Sequence, residues 1–267
     1  MNSLPRTALV TGAAKRLGRE IALGLARAGW DVAVHCRQSR DEADRTVAEI
    51  RALGRRSRAF EADLADELAT LAMFDAAQAA LGPITCLVNN ASRFEFDRPE
   101  DFATASLEQL LRPNLAAPLL LARRLFESLE HDAPDDSARG VVVNLLDQKL
   151  DHPNPDFFSY TLTKAALLSA TRMMALAFAK RLRVNGVSPG ATLPSWQQTP
   201  ESFERANRIA LLGRSSSPAD IAQAVVYLAD APAVTGVNLI VDGGQHLMQL
   251  DRDVIFLGGN ATPGGPA

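Results

Sequence analysis

Short apolar runs alternate with longer amphipathic stretches along the whole chain. TALVTG (7–12), DVAVHC (31–36), SRAFEAD (57–63), ITCLVNNA (84–91), GVVVNLLD (140–147), RLRVNGVSPG (181–190) and VNLIVDGG (237–244) read as strands. Between them REIALGLARAG, EADRTVAEIRALG, ELATLAMFDAAQAALG, LEQLLRPNLAAPLLLARRLFESLE, SYTLTKAALLSATRMMALAF and PADIAQAVVYLAD carry helical periodicity. Strands apolar on both faces, each followed by a helix, predict a parallel sheet covered on both sides. The right-handed crossover rule then gives a single-domain, Rossmann-type, doubly wound α/β sheet of about seven strands, with ligands at the strands' carboxyl ends.

No repeat or linker divides the chain, so a domain over 1–247 and a tail over 248–267 are expected. HDAPDDSARG (131–140) and the basic run Arg55-Arg56-Ser57-Arg58 read as solvated loops. Ser217, Pro218 and Asp220 mark a helix start. LDRDVIFL (250–257) is free to pack on a neighbour, and the Gly/Pro content of GGNATPGGPA (258–267) predicts a mobile end.

A chain of 267 residues is within the range of one large domain, burying about 75% of its unfolded surface. The net charge of −3 gives no support for a nucleic-acid partner. Cys36 and Cys86 fall in predicted strands and lack metal or disulfide spacing, which predicts free thiols in a reducing compartment. His131, His152 and His246 have no partners at metal-ligand spacing, so no metal is expected. The N-terminus opens directly into a strand, and no apolar run reaches the ~18 residues of a membrane span. These features predict a cytoplasmic protein without a membrane partner.

Candidate chemistry begins where the first strand ends, at Thr11-Gly12-Ala13-Ala14-Lys15-Arg16-Leu17-Gly18. A glycine-bearing turn from strand to helix aims backbone N–H groups at a pyrophosphate. The second strand ends His35-Cys36-Arg37-Gln38-Ser39, without the carboxylate that favours NAD. Arg37 and Ser39 suit a 2′-phosphate and Lys15 adds charge, so NADPH is the expected cofactor.

Tyr160 and Lys164 stand at i and i+4 of a helical pattern and share a face. A phenol beside an ammonium is expected to release its proton more readily than free tyrosine, making Tyr160 a candidate general acid. Asp147 lies upstream, where its carboxyl can position a nitrogen-rich substrate and re-supply the proton. A plain turn carboxylate is the alternative reading of Asp147.

Taken in order, TGAAKRLG, Asp63, Asn89-Asn90-Ala91, Asn114, Tyr160/Lys164, Asn185-Gly186-Val187-Ser188-Pro189-Gly190 and Asp242-Gly243-Gly244 resemble the short-chain dehydrogenase/reductase family over almost the whole chain. Most of that family has glycine where this chain has Arg16, and serine where it has Asp147. Arginine and aspartate at these places, with Asn90-Ala91-Ser92-Arg93-Phe94, are similar to the pteridine reductases and the bacterial dihydromonapterin/dihydrofolate reductases. Gln38 departs from them, standing where a basic residue is often found.

The resemblance implies NADPH held by Gly12, Lys15, Arg16, Leu17, Gly18, His35, Arg37, Ser39, Asp63, Asn90, Ala91, Tyr160, Lys164, Pro189 and Gly190. It implies a pterin or folate substrate bound by Arg16, Ser92, Phe94, Asp147 and Tyr160, with Phe94 stacked on the flat ring and Phe96 in the core. Tyr160 would protonate a ring nitrogen with Asp147 bonded to it. Lys164 would hold the nicotinamide ribose and lower the tyrosine pKa, and Asn114 would support a water linking that lysine to solvent. Leu193 and Trp196 fall in the family's variable substrate loop and receive no specific contact. A homotetramer built on the helices of Asn114 and Tyr160 is also implied. Two other readings stand beside this one: a carbonyl reductase of the same fold, acting on a 3-oxoacyl thioester or ketone, and a non-catalytic NADPH-binding regulator.

Overall fold

The computed structural model describes residues 6–129, 139–195 and 198–257. Most of the 131–140 loop, His131, Trp196 and the GGNATPGGPA end lie outside the described residues. Seven strands form one parallel sheet in the order β3-β2-β1-β4-β5-β6-β7. They are β1 Thr7–Val10, β2 Asp31–Cys36, β3 Ser57–Glu61, β4 Cys86–Asn89, β5 Gly140–Leu145, β6 Leu182–Pro189 and β7 Asn238–Val241. The order reverses between β1 and β4, and that switch point opens a crevice at the carboxyl edge.

Each face of the sheet packs its own helix layer. On one side α1 (Arg16–Arg27) and α2 (Arg40–Ala52) bury Ile21, Leu25, Val47 and Ile50 against β1 and β2, joined by α8 (Pro218–Asp230) through Ile221 and Val225. On the other side α3 (Glu67–Leu81) and α5 (Ala117–Ser128) cover Leu9, Leu87 and Val142 with Phe74, Leu121 and Leu125, and α6 (Phe158–Ala177) adds Met174. Each such side chain fully buried contributes roughly 1.5–3 kcal/mol. The α8 start at Ser217 closes a full capping box with Asp220. Cys36 and Cys86 are free, buried strand residues.

Four details differ from the sequence pattern. The long fourth helix divides into α4 (Thr104–Leu111), a π-turn over Arg112–Ala116, and α5. Pro113 carries no N–H, and the ladder widens until the Ala117 N–H reaches the Arg112 carbonyl. The basic run is no solvated loop. Arg55 and Arg56 grip the buried Asp31 at 2.8 and 2.7 Å, and Ser57 and Arg58 open β3. The polar segment Pro200–Arg208 forms α7, capped by the Thr199 hydroxyl, which accepts from the Ser202 N–H. Lastly, LDRDVIFL packs on its own chain. Its α9 (Val254–Leu257) buries Ile255, and Phe256 packs with it against Phe157 and Tyr160.

The tightest constraint near the crevice is Gly18, where an added Cβ would sit 2.2 Å from the Gly12 oxygen and 2.4 Å from Asn90 Nδ2. Gly18→Ala should therefore lower stability by about 1–3 kcal/mol, read as a fall in Tm of several degrees. An unchanged Tm would show that the β1–α1 turn can move aside.

Candidate active site

The β1–α1 turn is built by its neighbours rather than by its own sequence alone. Gly12 adopts φ +64°, a conformation that favours glycine. Its N–H donates to His35 Nδ1 at 3.0 Å, and the His35 carbonyl accepts from the Ala13 N–H at 2.8 Å. His35 Nε2 lies 3.1 Å from the Ala62 oxygen, and burial lowers the imidazole pKa, so a neutral ring donating from Nε2 satisfies both contacts. His35 is thus a buried strut behind the turn. Both ring nitrogens are engaged with the protein, so the side chain faces the turn from behind. Asn90 Nδ2 ties the Thr11 and Gly12 carbonyls at 2.9 and 3.2 Å, and the Thr11 hydroxyl accepts from the Asn90 and Ala91 N–H groups.

What remains outward-facing is cationic. Lys15, Arg16 and Arg37 are exposed, Ser39 is half-buried, and residues 37–39 offer no carboxylate. Arg16 adopts φ +54°, which costs an L-residue of order 1 kcal/mol. Its Nη2 donates to the Pro194 carbonyl at 2.8 Å, joining the turn to the loop after Pro189-Gly190. Asp63 stands exposed beyond β3 and uses Oδ1 to hold the Ala65 N–H at 2.9 Å.

Three segments converge on the other half of the crevice. The end of β5 supplies the Leu145 carbonyl and, two residues on, Asp147. Helix α6 supplies Tyr160 and Lys164. The segment after β4 supplies Ser92, Arg93 and Phe94. Tyr160 OH donates to Asp147 Oδ2 at 3.0 Å, while Asp147 Oδ1 accepts from the Lys149 N–H at 2.9 Å. Asp147 is therefore a turn carboxylate and the tyrosine's partner at once. Lys164 Nζ donates to the Leu145 carbonyl at 2.8 Å and lies 5.6 Å from the Tyr160 ring centre. Asn114, buried in the π-turn, accepts from the Arg93 N–H at 2.7 Å and donates to the Arg93 carbonyl at 2.9 Å and to Thr163 Oγ1 at 3.2 Å. It clasps the segment that carries Ser92 and Phe94 to the helix that carries Tyr160 and Lys164.

The electrostatics correct one expectation. Burial, and then the charge of Asp147, raise the Tyr160 pKa well above that of free tyrosine, so the expected lowering by Lys164 does not prevail. Burial also brings Lys164 down to about 8, against the opposing pull of Asp147. Burial raises Asp147, and its bond from the Lys149 N–H opposes the rise. Around neutral pH the phenol keeps its proton, the state a general acid requires.

Phe94 is half-buried at the crevice. Phe157 stacks on one of its faces at 4.2 Å, and Tyr160 meets it at 4.7 Å with the rings nearly perpendicular. Phe96 belongs to the same cluster, touching Phe157 and Phe256. Ser92 is exposed beside it, its hydroxyl 3.4 Å from the Arg93 carbonyl. Pro189 ends β6 and Gly190 follows it. A Cβ on Gly190 would lie 2.3 Å from Ser215 Oγ, which explains the glycine by packing.

The profile of a family described as enoyl-(acyl carrier protein) reductase matches residues 12–246. An uncharacterised oxidoreductase of Mycobacterium tuberculosis is 34% identical over 93% of this chain and 95% of its own. The chain belongs to the short-chain dehydrogenase/reductase family. It is also similar, at 30% identity over 91% of this chain and 99% of the relative, to a 3-oxoacyl-[acyl-carrier-protein] reductase of Staphylococcus aureus. Among solved structures, FolM alternative dihydrofolate reductase 1 from Brucella canis, complexed with NADP, superposes with a TM-score of 0.82 at 38% identity, over 91% of this chain and 94% of that one.

This short-chain oxidoreductase holds several site residues that the sequence pattern does not single out. Asp97 accepts from the Ser159 N–H at 3.0 Å and so caps α6, whose preceding residue Phe157 is left-handed at φ +54°. Phe157, Lys149 and Asp156 also gather here, joined by Asp253 from the C-terminal segment. His246 does have a carboxylate partner, with Nδ1 2.9 Å from Asp242 Oδ2. Asp242 also accepts from the Gly244 and His246 N–H groups, so the contact closes a turn. Among the described residues no group of three or more His, Cys, Asp or Glu is placed to hold a metal, and no helix is long and apolar enough to cross a membrane.

The Asp147–Tyr160 contact has a direct spectroscopic test. The chain has two tyrosines, so Tyr227→Phe leaves Tyr160 as the single phenol. In that background Asp147→Asn should move phenol ionisation, followed by phenolate absorbance, to lower pH, because the negative charge that opposes it is gone. No movement would mean that burial alone holds the proton.

Proposed function

We propose that this oxidoreductase is an NADPH-dependent reductase of dihydropterins or dihydrofolate. The observation that carries the reading is the Tyr160–Asp147 hydrogen bond at 3.0 Å, a carboxyl group where a carbonyl reductase of this family has serine. The exposed cations Lys15, Arg16 and Arg37, and the free N–H groups of the first turn of α1 at Leu17 and Gly18, suit a phosphorylated dinucleotide. Asn90, Ala91, Pro189, Gly190, Ser39 and Asp63 would line the rest of its site. When bound, NADPH supplies the hydride.

The chain's own groups do the remaining work. Lys164 would hold the nicotinamide ribose. Tyr160 OH protonates the ring nitrogen beside the carbon that is reduced. Once the phenol has given up its proton, a protonated Asp147 becomes the donor across the same Tyr160–Asp147 contact and returns a proton to the phenolate. Asn114 supports Lys164 by holding Thr163 and Arg93, on the path by which a water would reach the lysine. Phe94, backed by Phe157, is the aromatic residue that would stack on a flat bicyclic ring, a contact worth ~1 kcal/mol beyond area burial. Ser92 and Arg16 bind polar edges of the same ring. Exposed Leu162, Met173 and Leu176 on α6 suit burial against further copies in a homotetramer.

The 30% identity to a 3-oxoacyl-[acyl-carrier-protein] reductase favours a second reading, carbonyl reduction, in which the Asp147 carboxyl would be incidental. A panel of dihydrobiopterin, dihydromonapterin, dihydrofolate and a 3-oxoacyl thioester, followed by NADPH absorbance, separates the two. Asp147→Ser should cost dihydropterin turnover about 10²-fold or more while the protein stays folded. If the thioester is the better substrate and Asp147→Ser leaves dihydropterin rates intact, carbonyl reduction is the activity.

The pH dependence has a definite sign. Asp147 acts protonated and its pKa is raised, so dihydropterin turnover should rise as pH falls below neutral. On the alkaline side kcat/KM for NADPH should decline as Lys164 loses its charge at about 8. A flat profile over this range would remove both groups from the mechanism.

Cofactor choice is tested at Arg37. Arg37→Asp should raise the NADPH KM at least tenfold, or ~1.4 kcal/mol, with a smaller effect on NADH. Equal use of the two cofactors by the parent would overturn the assignment.

A further inference from the structure

Lys149 lies two residues past Asp147 and is only 4% exposed. Burying an ammonium costs several kcal/mol unless it is paired and hydrogen-bonded. Its partners come from two distant parts of the chain. Nζ donates to the Asp156 carbonyl, in the segment before α6, and to Asp253 Oδ2 at 3.2 Å, in the C-terminal segment. It also lies 5.5 Å from the centre of the Phe157 ring, which backs Phe94.

The C-terminal segment is itself anchored. The fully buried Asp156 carboxylate accepts from Arg252 Nε at 2.7 Å and from the Asp253 N–H at 2.8 Å, while Asp253 Oδ1 accepts from the Ile255 N–H at 3.1 Å. One connected set of contacts therefore runs from α9 through Asp253 to Lys149. From there the Lys149 N–H reaches Asp147 Oδ1, whose other oxygen holds Tyr160.

We propose that Lys149 and Asp253 are a paired set of positioning residues: the C-terminal segment fixes the turn that orients Asp147, and the two opposite charges bias whether that carboxyl carries a proton. The inference rests on the reading in which Asp147 serves Tyr160. Four groups face Asp147. Tyr160 and Lys164 come from α6, Lys149 from the turn and Asp253 from the C-terminal segment. The Lys149 ammonium favours the carboxylate and the Asp253 carboxylate opposes it. Deleting one charge or the other must therefore push Asp147 in opposite directions, whereas loss of packing alone has no reason to reverse sign.

The test uses full-length protein with 13C-labelled aspartate and infrared detection. The carboxylic-acid stretch that is absent from Asp147→Asn reports Asp147 without any substrate. Its midpoint should move to higher pH in Lys149→Met and to lower pH in Asp253→Asn, with the double variant returning toward the parent. The pH profile of turnover should move the same way. Midpoints that stay still, or that move in one direction in both variants, overturn the proposal. Should Lys149→Met not fold, Asp253→Asn decides alone, since a midpoint unmoved or raised is then fatal. A parent that fails to reduce dihydropterins while the two midpoints still separate would refute the substrate reading and leave this inference standing.

Discussion

The division of one carboxylate between two donors organises this site. Asp147 gives one oxygen to a phenol on α6 and the other to the peptide N–H of the turn that follows β5. Those two bonds tie the sheet edge to the helix beside the point where Lys164 reaches the Leu145 carbonyl. They also set the charge state. A negative group held against a buried phenol keeps that phenol protonated, and the same burial makes the carboxyl readier to take a proton than a solvated one. A serine could make either hydrogen bond, but it could not carry a proton for exchange near neutral pH.

Around that contact the crevice has two halves of different character. The half beside the β1–α1 turn is polar, with His35 and Asn90 using hydrogen bonds to shape the turn from behind while Lys15, Arg16 and Arg37 are exposed. The half beside Tyr160 is aromatic and is assembled from pieces far apart in the chain. Phe94 comes from the segment after β4, Phe157 from the start of α6 and Phe256 from α9. Arg16 joins the halves by reaching the Pro194 carbonyl. Its left-handed backbone, at a place where most of the family has glycine, marks a position where a side chain is kept despite strain.

The Asn114 clasp shows how a local irregularity serves the site. A regular helix through Pro113 would leave a carbonyl unpaired, and the π-turn absorbs that defect while turning Asn114 inward to Arg93 and Thr163. The amide that pairs with the half-buried Arg93 backbone also holds the aromatic segment beside Tyr160.

Local pattern was enough for the sheet. Apolar runs with helices between them admit one economical arrangement, and the strands Thr7–Val10 through Asn238–Val241 lie within the runs that predict them. The spacing of Tyr160 and Lys164, the capping box at Ser217 and the glycines of the first turn were equally legible, since each depends on residues a few positions apart. What the sequence could not determine were contacts between distant segments: His35 behind Gly12, Asp31 between Arg55 and Arg56, and Asp253 on Lys149. The sign of the Tyr160 shift belongs with these. Neighbouring Lys164 promised a lowered pKa, but desolvation and the Asp147 charge are set by how the turn after β5, the segment after β4 and α9 close around the phenol, and that closure is a property of the tertiary structure alone.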